Sequence, residues 1–251
     1  MTMFSANYAP DSDRQELEKA FRLAVQTVHQ HVADDLPAQA ILYLLVRAVN
    51  TWRSIYALWN NCPGTFAVDA GTLLRAMFDA FLQAAFITQD PGKCDERAKL
   101  YLEFEDIERW KMIERIFRHD TFLSRHLKAS PKRSKAQPRV KARYAQLKKR
   151  YLRRNGRVRN SWYAGNLRSM AEKVGKSAEY DQLLALFHGC VHSSPFALRY
   201  GPMVAPEHVS TLAAVMAAGV ARIALHQVDA RLDSPSQELI DELSADFLKK
   251  L

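Results

Sequence analysis

The stretch GTLLRAMFDAFLQAAFI, residues 71–87, carries two charges, Arg75 and Asp79, in an otherwise apolar run with a single glutamine. Wound as a helix it has apolar side chains nearly all round, so it has no broad face to give to water and needs cover from several sides. The turn signals NNCPG (60–64) before it and QDPG (89–92) after it bound a helix over about 66–88. A helix of that kind belongs at the centre of a helical bundle.

Working outward, the neighbours read as amphipathic helices. Leu17, Phe21, Leu23, Val25 and Val28 mark a first helix that starts after APDS and runs to about Ala33. Pro37 suits the first turn of a second, whose broad apolar face is Ile41, Leu44, Leu45, Ala48, Trp52, Ile55 and Trp59. A charge-rich helix follows from about Lys93 to Arg118, and another from Arg139 to Arg154. Short helices at about 166–174 and 178–193, an Ala-rich one at 207–231 and a terminal one from Ser236 complete the chain. There is no β-hairpin signature, no glycine-rich phosphate loop and no repeat. The expectation is an all-α bundle of six or more helices with a basic helical insertion, divided as residues 1–124, a basic linker and helix at 125–160, and 161–251.

Composition agrees with a globular helical chain: 48% hydrophobic, 25% charged, nine glycines and ten prolines. Cys62, Cys94 and Cys190 are too scattered for a disulfide or metal framework, which suits reduced thiols and a cytoplasmic protein. MTMFSANYAPDSDRQ is not a secretory leader. The longest uninterrupted apolar runs, AQAILYLLV and STLAAVMAAGVA, fall short of the roughly 20 residues that span a bilayer, so no membrane partner is expected.

The net charge of +9 is unevenly spread. Fifteen Lys and Arg lie between Arg125 and Arg159, and no Asp or Glu occurs between Asp120 and Glu172. The rest of the chain, 21 basic residues against 27 acidic, is mildly negative. Like charges at this density call for something anionic. Lys148, Lys149, Arg150, Arg153, Arg154 and Arg157 are the candidate contacts to phosphates, with Tyr144, Tyr151, Trp162 and Tyr163 to stack on unpaired bases, which points to RNA or single-stranded DNA. The alternatives are an arm folded onto acidic surface of its own chain, or a homodimer through the seam Val140, Tyr144, Leu147 and Tyr151.

Arg75 and Asp79 stand one turn apart on one helical face and should pair, either as a structural ion pair or as an arginine held ready for an anion. In LFHGCVHSSPFAL (186–198), His188 and His192 share the i, i+4 spacing of a metal-binding pair, but Gly189 stands where a zinc protease needs glutamate, so no metal or other cofactor is expected. Ser193 and Ser194 lack the Gly-x-Ser-x-Gly setting of a hydrolase nucleophile. Arg22 and His29 meet the loose Arg/His spacing of the HEPN ribonucleases, a pattern many helical chains meet by chance.

The order LLRAMFDAFLQAAFITQDP, WYAGNLRSMAEKVG, YDQLLALFHGCVHSSP resembles a bacterial family of unknown function, domain-of-unknown-function family 5677, over about residues 40–225. The resemblance implies a helical fold with a shared polar centre, carried here by Arg75, Asp79, Trp162, Tyr180, His192 and Ser193. Asp79 stands where glutamate is expected, and His188 where a small hydroxyl residue is commoner. The resemblance carries no reaction; if the protein is an enzyme, the most natural chemistry is metal-independent phosphodiester cleavage of HEPN-like type, with Arg75, Asp79, His192 and Ser193 as catalytic candidates, His192 moving a proton and Arg75 stabilising phosphorane charge. The competing expectation is a non-catalytic interaction protein in which the cluster is structural.

Overall fold

A computed structural model describes residues 11–33, 35–61, 66–122, 124–125, 131–183 and 206–249. Among these the fold is all-α. The helices are α1 (Asp11–Gln30), α2 (Leu36–Asn61), α3 (Phe66–Thr88), α4 (Cys94–Phe117), α5 (Pro131–Leu147), α6 (Leu167–Lys173), α7 (177–183), α8 (Pro206–Gln227) and α9 (Ser234–Leu248). They fall into two compact units, one of residues 1–95 and 167–251, the other of residues 96–166.

In the first unit α2, α3 and α8 pack on one another, α9 lies on α8 and α1, and α6 lies on α3. The α3 run behaves as its composition requires: Leu74, Met77, Phe78, Phe81, Leu82 and Ile87 are fully buried. Gly219 on α8 lets that helix close on α3, since a Cβ there would stand 3.3 Å from the Phe81 ring. Residues 69–88 and 208–227 are each long and apolar enough, by length and composition, to cross a membrane, contrary to the run-length reading. Arg75 and Asp79 interrupt the first, so counting unbroken runs overlooks it. Both helices are more than half buried within the chain, 67% and 56%, against neighbouring helices. Caps set the entries: Asp35 Oδ1 accepts from Ala38 N (3.0 Å) at α2, and the Asp233 side chain accepts from Ser236 N (3.0 Å) at α9.

In the second unit α4 lies with the basic segment. Aromatic side chains decide this. Phe104 packs edge-on against Tyr151 at 5.1 Å between centroids, Tyr101 against Trp162 at 5.6 Å, and Trp110 lies 6.0 Å from Tyr144. The expected linker at KASPKRSKAQP is helical from Pro131, with Pro138 inside α5. The chain leaves α5 through a 3₁₀ turn, Lys148–Tyr151, and doubles back in a short hairpin. Leu152 bridges Val158, Arg159 N donates to Tyr151 O (2.7 Å), Arg153 N to Arg157 O (2.8 Å), and Gly156 N to Arg153 O (2.9 Å). The bridge is isolated and builds no strand among the described residues, so the fold stays all-α as expected. Gly156, at φ +74°, supplies the left-handed residue this turn needs.

Candidate functional site

Two sites emerge, one in each unit. In the first, Arg75 and Asp79 project from successive turns of α3, and α7 brings Tyr180 beside them. Arg75 Nη2 lies 3.3 Å from Asp79 Oδ1, with the side chains 12% and 28% exposed. The guanidinium carbon of Arg75 sits 4.6 Å from the Tyr180 ring centre, a cation–π contact. Tyr180 in turn touches Phe78, 6.5 Å away between centroids. Arg75 Nη1 and Asp79 Oδ1 are both buried without a hydrogen-bond partner. Although Oδ1 lies within ion-pair distance of Nη2, that contact is poorly aligned.

Burial pushes the Asp79 carboxyl up to about 6, and this outweighs the opposing pull of Arg75 and of Arg47 on α2. Arg47 acts on the Asp79 carboxyl through its charge, and the sequence reading missed it. It is exposed on α2, outside the apolar face, and nothing in its spacing ties it to α3. His188, His192 and Ser193 lie outside the described residues. Arg22 and His29 are both exposed on α1. Among the described residues no group of three His, Cys, Asp or Glu is placed to hold a metal ion.

The second site is the cationic surface of residues 96–166, which hold 21 Lys and Arg against 7 Asp and Glu. Six of its acids sit on α4, Asp120 lies just beyond it, and together they answer only part of the charge. Glu103 pairs with Arg150 (2.5 Å) and Arg143 (3.7 Å), and Asp106 pairs with Arg143 (3.3 Å). Lys148, Lys149, Arg153, Arg154 and Arg157 are exposed and have no acidic partner among the described residues. Three of these arginines ride on the hairpin, which Lys111 of α4 pins by donating to Arg159 O, Val158 O (3.4 Å) and Asn160 Oδ1 (3.3 Å). Burial, with Arg115 and Arg153 nearby, holds the Lys111 ammonium below its ordinary range. The Arg159 guanidinium covers the Tyr151 ring at 5.3 Å and donates to Arg150 O (3.0 Å).

Two of the aromatic residues expected to stack on bases do other work. Tyr151 is fully buried, with its hydroxyl donating to Leu100 O (2.9 Å), and burial pushes that hydroxyl up to about 12. Trp162 is 6% exposed. The seam expected to hold a second copy is likewise filled: Val140, Leu147 and Tyr151 are buried, and Tyr144 lies against Trp110.

The fold and these two sites define an all-α protein with a half-closed Arg–Asp centre on its central helix and a separate cationic unit. The chain matches the Family of unknown function (DUF5677) over residues 38–203, well over half its length, and belongs to that family. No curated protein and no solved structure matches it.

Proposed function

We propose that this is a nucleic-acid-binding protein whose 96–166 unit grips the phosphate backbone of RNA or DNA. The observation that carries the reading is the set of exposed, acid-free cations, Lys148, Lys149, Arg153, Arg154 and Arg157, on a 3₁₀ turn and a hydrogen-bonded hairpin. A cation set fixed on ordered backbone loses less entropy on meeting phosphates than one on a floppy arm. With Tyr151 and Trp162 buried, contact rests on phosphates rather than base stacking, so affinity is largely independent of sequence. Arg150 is a weaker contributor, since Glu103 already holds it.

The test is a binding titration with labelled RNA and DNA, single- and double-stranded, across salt. With about four phosphates neutralised, affinity falls roughly 10²-fold between 50 and 200 mM salt. Replacing the five free cations by glutamine abolishes it while the helical signal is retained. A salt-independent affinity, or an undiminished one in that variant, overturns the reading. The finer proposal, phosphodiester cleavage by His192 with Arg75, Asp79 and Ser193, is tested on the same RNA: His192→Ala removes cleavage and leaves the melting temperature near wild type.

The second reading, a non-catalytic interaction protein, is favoured by one observation, the pairing of Arg143 and Arg150 with Glu103 and Asp106. It gains if the five-site variant changes oligomeric state and no nucleic acid binds.

A further inference from the structure

We infer that Arg75, Arg47 and the carboxyl of Asp79 form a binding site for a tetrahedral dianion, a phosphoryl group, on the face of α3 turned to α2 and α7. The inference stands apart from the reading of the 96–166 unit, since every residue it uses lies in the other one.

The first support is what Arg75 lacks. Its guanidinium is fixed on two sides, by Asp79 at 3.3 Å and by the Tyr180 ring at 4.6 Å, yet its Nη1 is buried with no partner. An arginine placed only to balance a carboxylate turns its planar fork to meet both oxygens. Here the two lie 3.3 Å apart without a hydrogen bond, and Asp79 Oδ1 is as unpartnered as Arg75 Nη1. A buried donor left unpaired costs about 1–3 kcal/mol, more when charged, so an idle arm of this kind is a pre-aimed donor waiting for an acceptor.

The second support is the charge count. Arg75 and Arg47 bring two positive charges, and Asp79 one negative charge that burial already disfavours. A dianion is matched when Asp79 takes up a proton, and the neutral carboxyl then donates to the bound oxygen while Arg75 Nη1 donates to another. No bond is made or broken; one proton moves from solvent to Asp79. The centre is reachable by a small ion, because Asp79 is 28% exposed.

Other charged groups on the neighbouring elements are engaged elsewhere or face water. On α6, Lys173 lies 5.6 Å over the Phe86 ring, and Arg168 pairs with Glu172 and with Asp181 of α7. On α8, Arg222 pairs with Asp241 at 3.3 Å, and His208 and His226 are exposed. On α7, Glu179 pairs with Lys176 and Asp181 with Arg168, while Tyr180 presents its ring to Arg75. Asp79 is thus the proton acceptor of the centre.

Sulfate is the probe, being a tetrahedral dianion that does not titrate near neutrality. The full chain is titrated with it calorimetrically at constant ionic strength, in two buffers of different protonation heat. Near pH 7 wild type takes up about one proton per sulfate bound, and affinity falls about tenfold per pH unit above pH 6. Asp79→Asn binds sulfate without that uptake and with a flat pH profile. Arg75→Lys, which keeps the charge and loses the fork, weakens binding at least tenfold. Acetate, planar and singly charged, binds at least tenfold more weakly than sulfate. Uptake that is missing from wild type or persists in Asp79→Asn overturns the inference, as does acetate binding as tightly as sulfate. If Arg75→Lys fails to fold, the Asp79→Asn comparison still decides. Uptake retained when the five cations near the hairpin are glutamine separates this site from the nucleic-acid surface.

Discussion

Asp79 shows how burial and attraction compete within one side chain. Two arginines pull its carboxyl down, burial pushes it up, and burial wins, leaving it at about 6 against an ordinary 3.8. The sign for stability follows. A carboxyl raised in the folded state binds its proton more tightly there than in the unfolded chain. Its stabilising contribution is therefore complete below pH 3.8 and is lost as pH rises through about 6. Denaturant melts of wild type and Asp79→Asn should diverge between pH 4 and 7, wild type losing on the order of 2–3 kcal/mol more across that range. Parallel curves would show that Asp79 titrates as an ordinary carboxylate. Lys176 is the contrasting case. Its side chain is 2% exposed, but the ammonium donates to Phe247 O at the end of α9, pairs with Glu179 at 3.3 Å and lies over the Phe247 ring. Lys176→Met should lower the unfolding free energy by about 2 kcal/mol, because it leaves a part-buried helix-end carbonyl without its donor. The Arg75–Asp79 pair was legible in the sequence because i, i+4 spacing fixes a shared face on any helix. Arg47 and the contact of Lys176 with Phe247 were not, since the groups they meet lie on other elements.

At the scale of elements, helices with strong periodicity were legible nearly to the residue, and α3 and α4 run close to their expected bounds. The connection after α5 was not. Asn155–Gly156 is a hairpin signal, but the residues beside it are arginines, and one apolar pair, Leu152 and Val158, is too little alternation to betray strands. The hairpin is instead held by three backbone hydrogen bonds and by Lys111 beneath it. Gly156 tests this directly. A Cβ there meets nothing within 4 Å, so any penalty comes from its φ of +74° alone. Gly156→Val should cost about 1–2 kcal/mol of local stability. Amide exchange read residue by residue should show it as faster exchange at Arg153 and Arg159, with α3 amides unchanged. Slow exchange retained at both amides would mean that the turn tolerates a side chain and that Lys111 alone holds the loop.

At the scale of the whole molecule, charge is partitioned between the two units much as it is along the sequence. Residues 96–166 carry 21 bases against 7 acids, the remainder 15 against 20. Runs of charge in sequence drew the boundary at Arg125, whereas packing places α4 with the basic segment, because Tyr101, Phe104 and Trp110 are its aromatic core partners. Aromatic spacing on a charge-rich helix is the signal that could have found it. So dense a cationic unit works against its own folding, and salt should reveal this. With a screening length of about 10 Å at 0.1 M, repulsion among Lys148, Lys149, Arg153, Arg154 and Arg157 is felt at low salt and fades above it. Raising sodium chloride from 20 to 300 mM should lift the melting temperature of wild type by a few degrees, about 1 kcal/mol for a chain of this size. The five-site glutamine variant should start higher and respond less. Surface ion pairs lost to salt act in the opposite direction, but each is worth well under 1 kcal/mol. A variant that melts lower than wild type at 20 mM salt would mean that anionic groups of the chain already hold these cations, and the case for a nucleic-acid partner would fall with that result. A variant that melts higher and no longer binds RNA or DNA would mean that the five charges persist against the interest of the fold, which is what a surface kept for a polyanionic ligand requires.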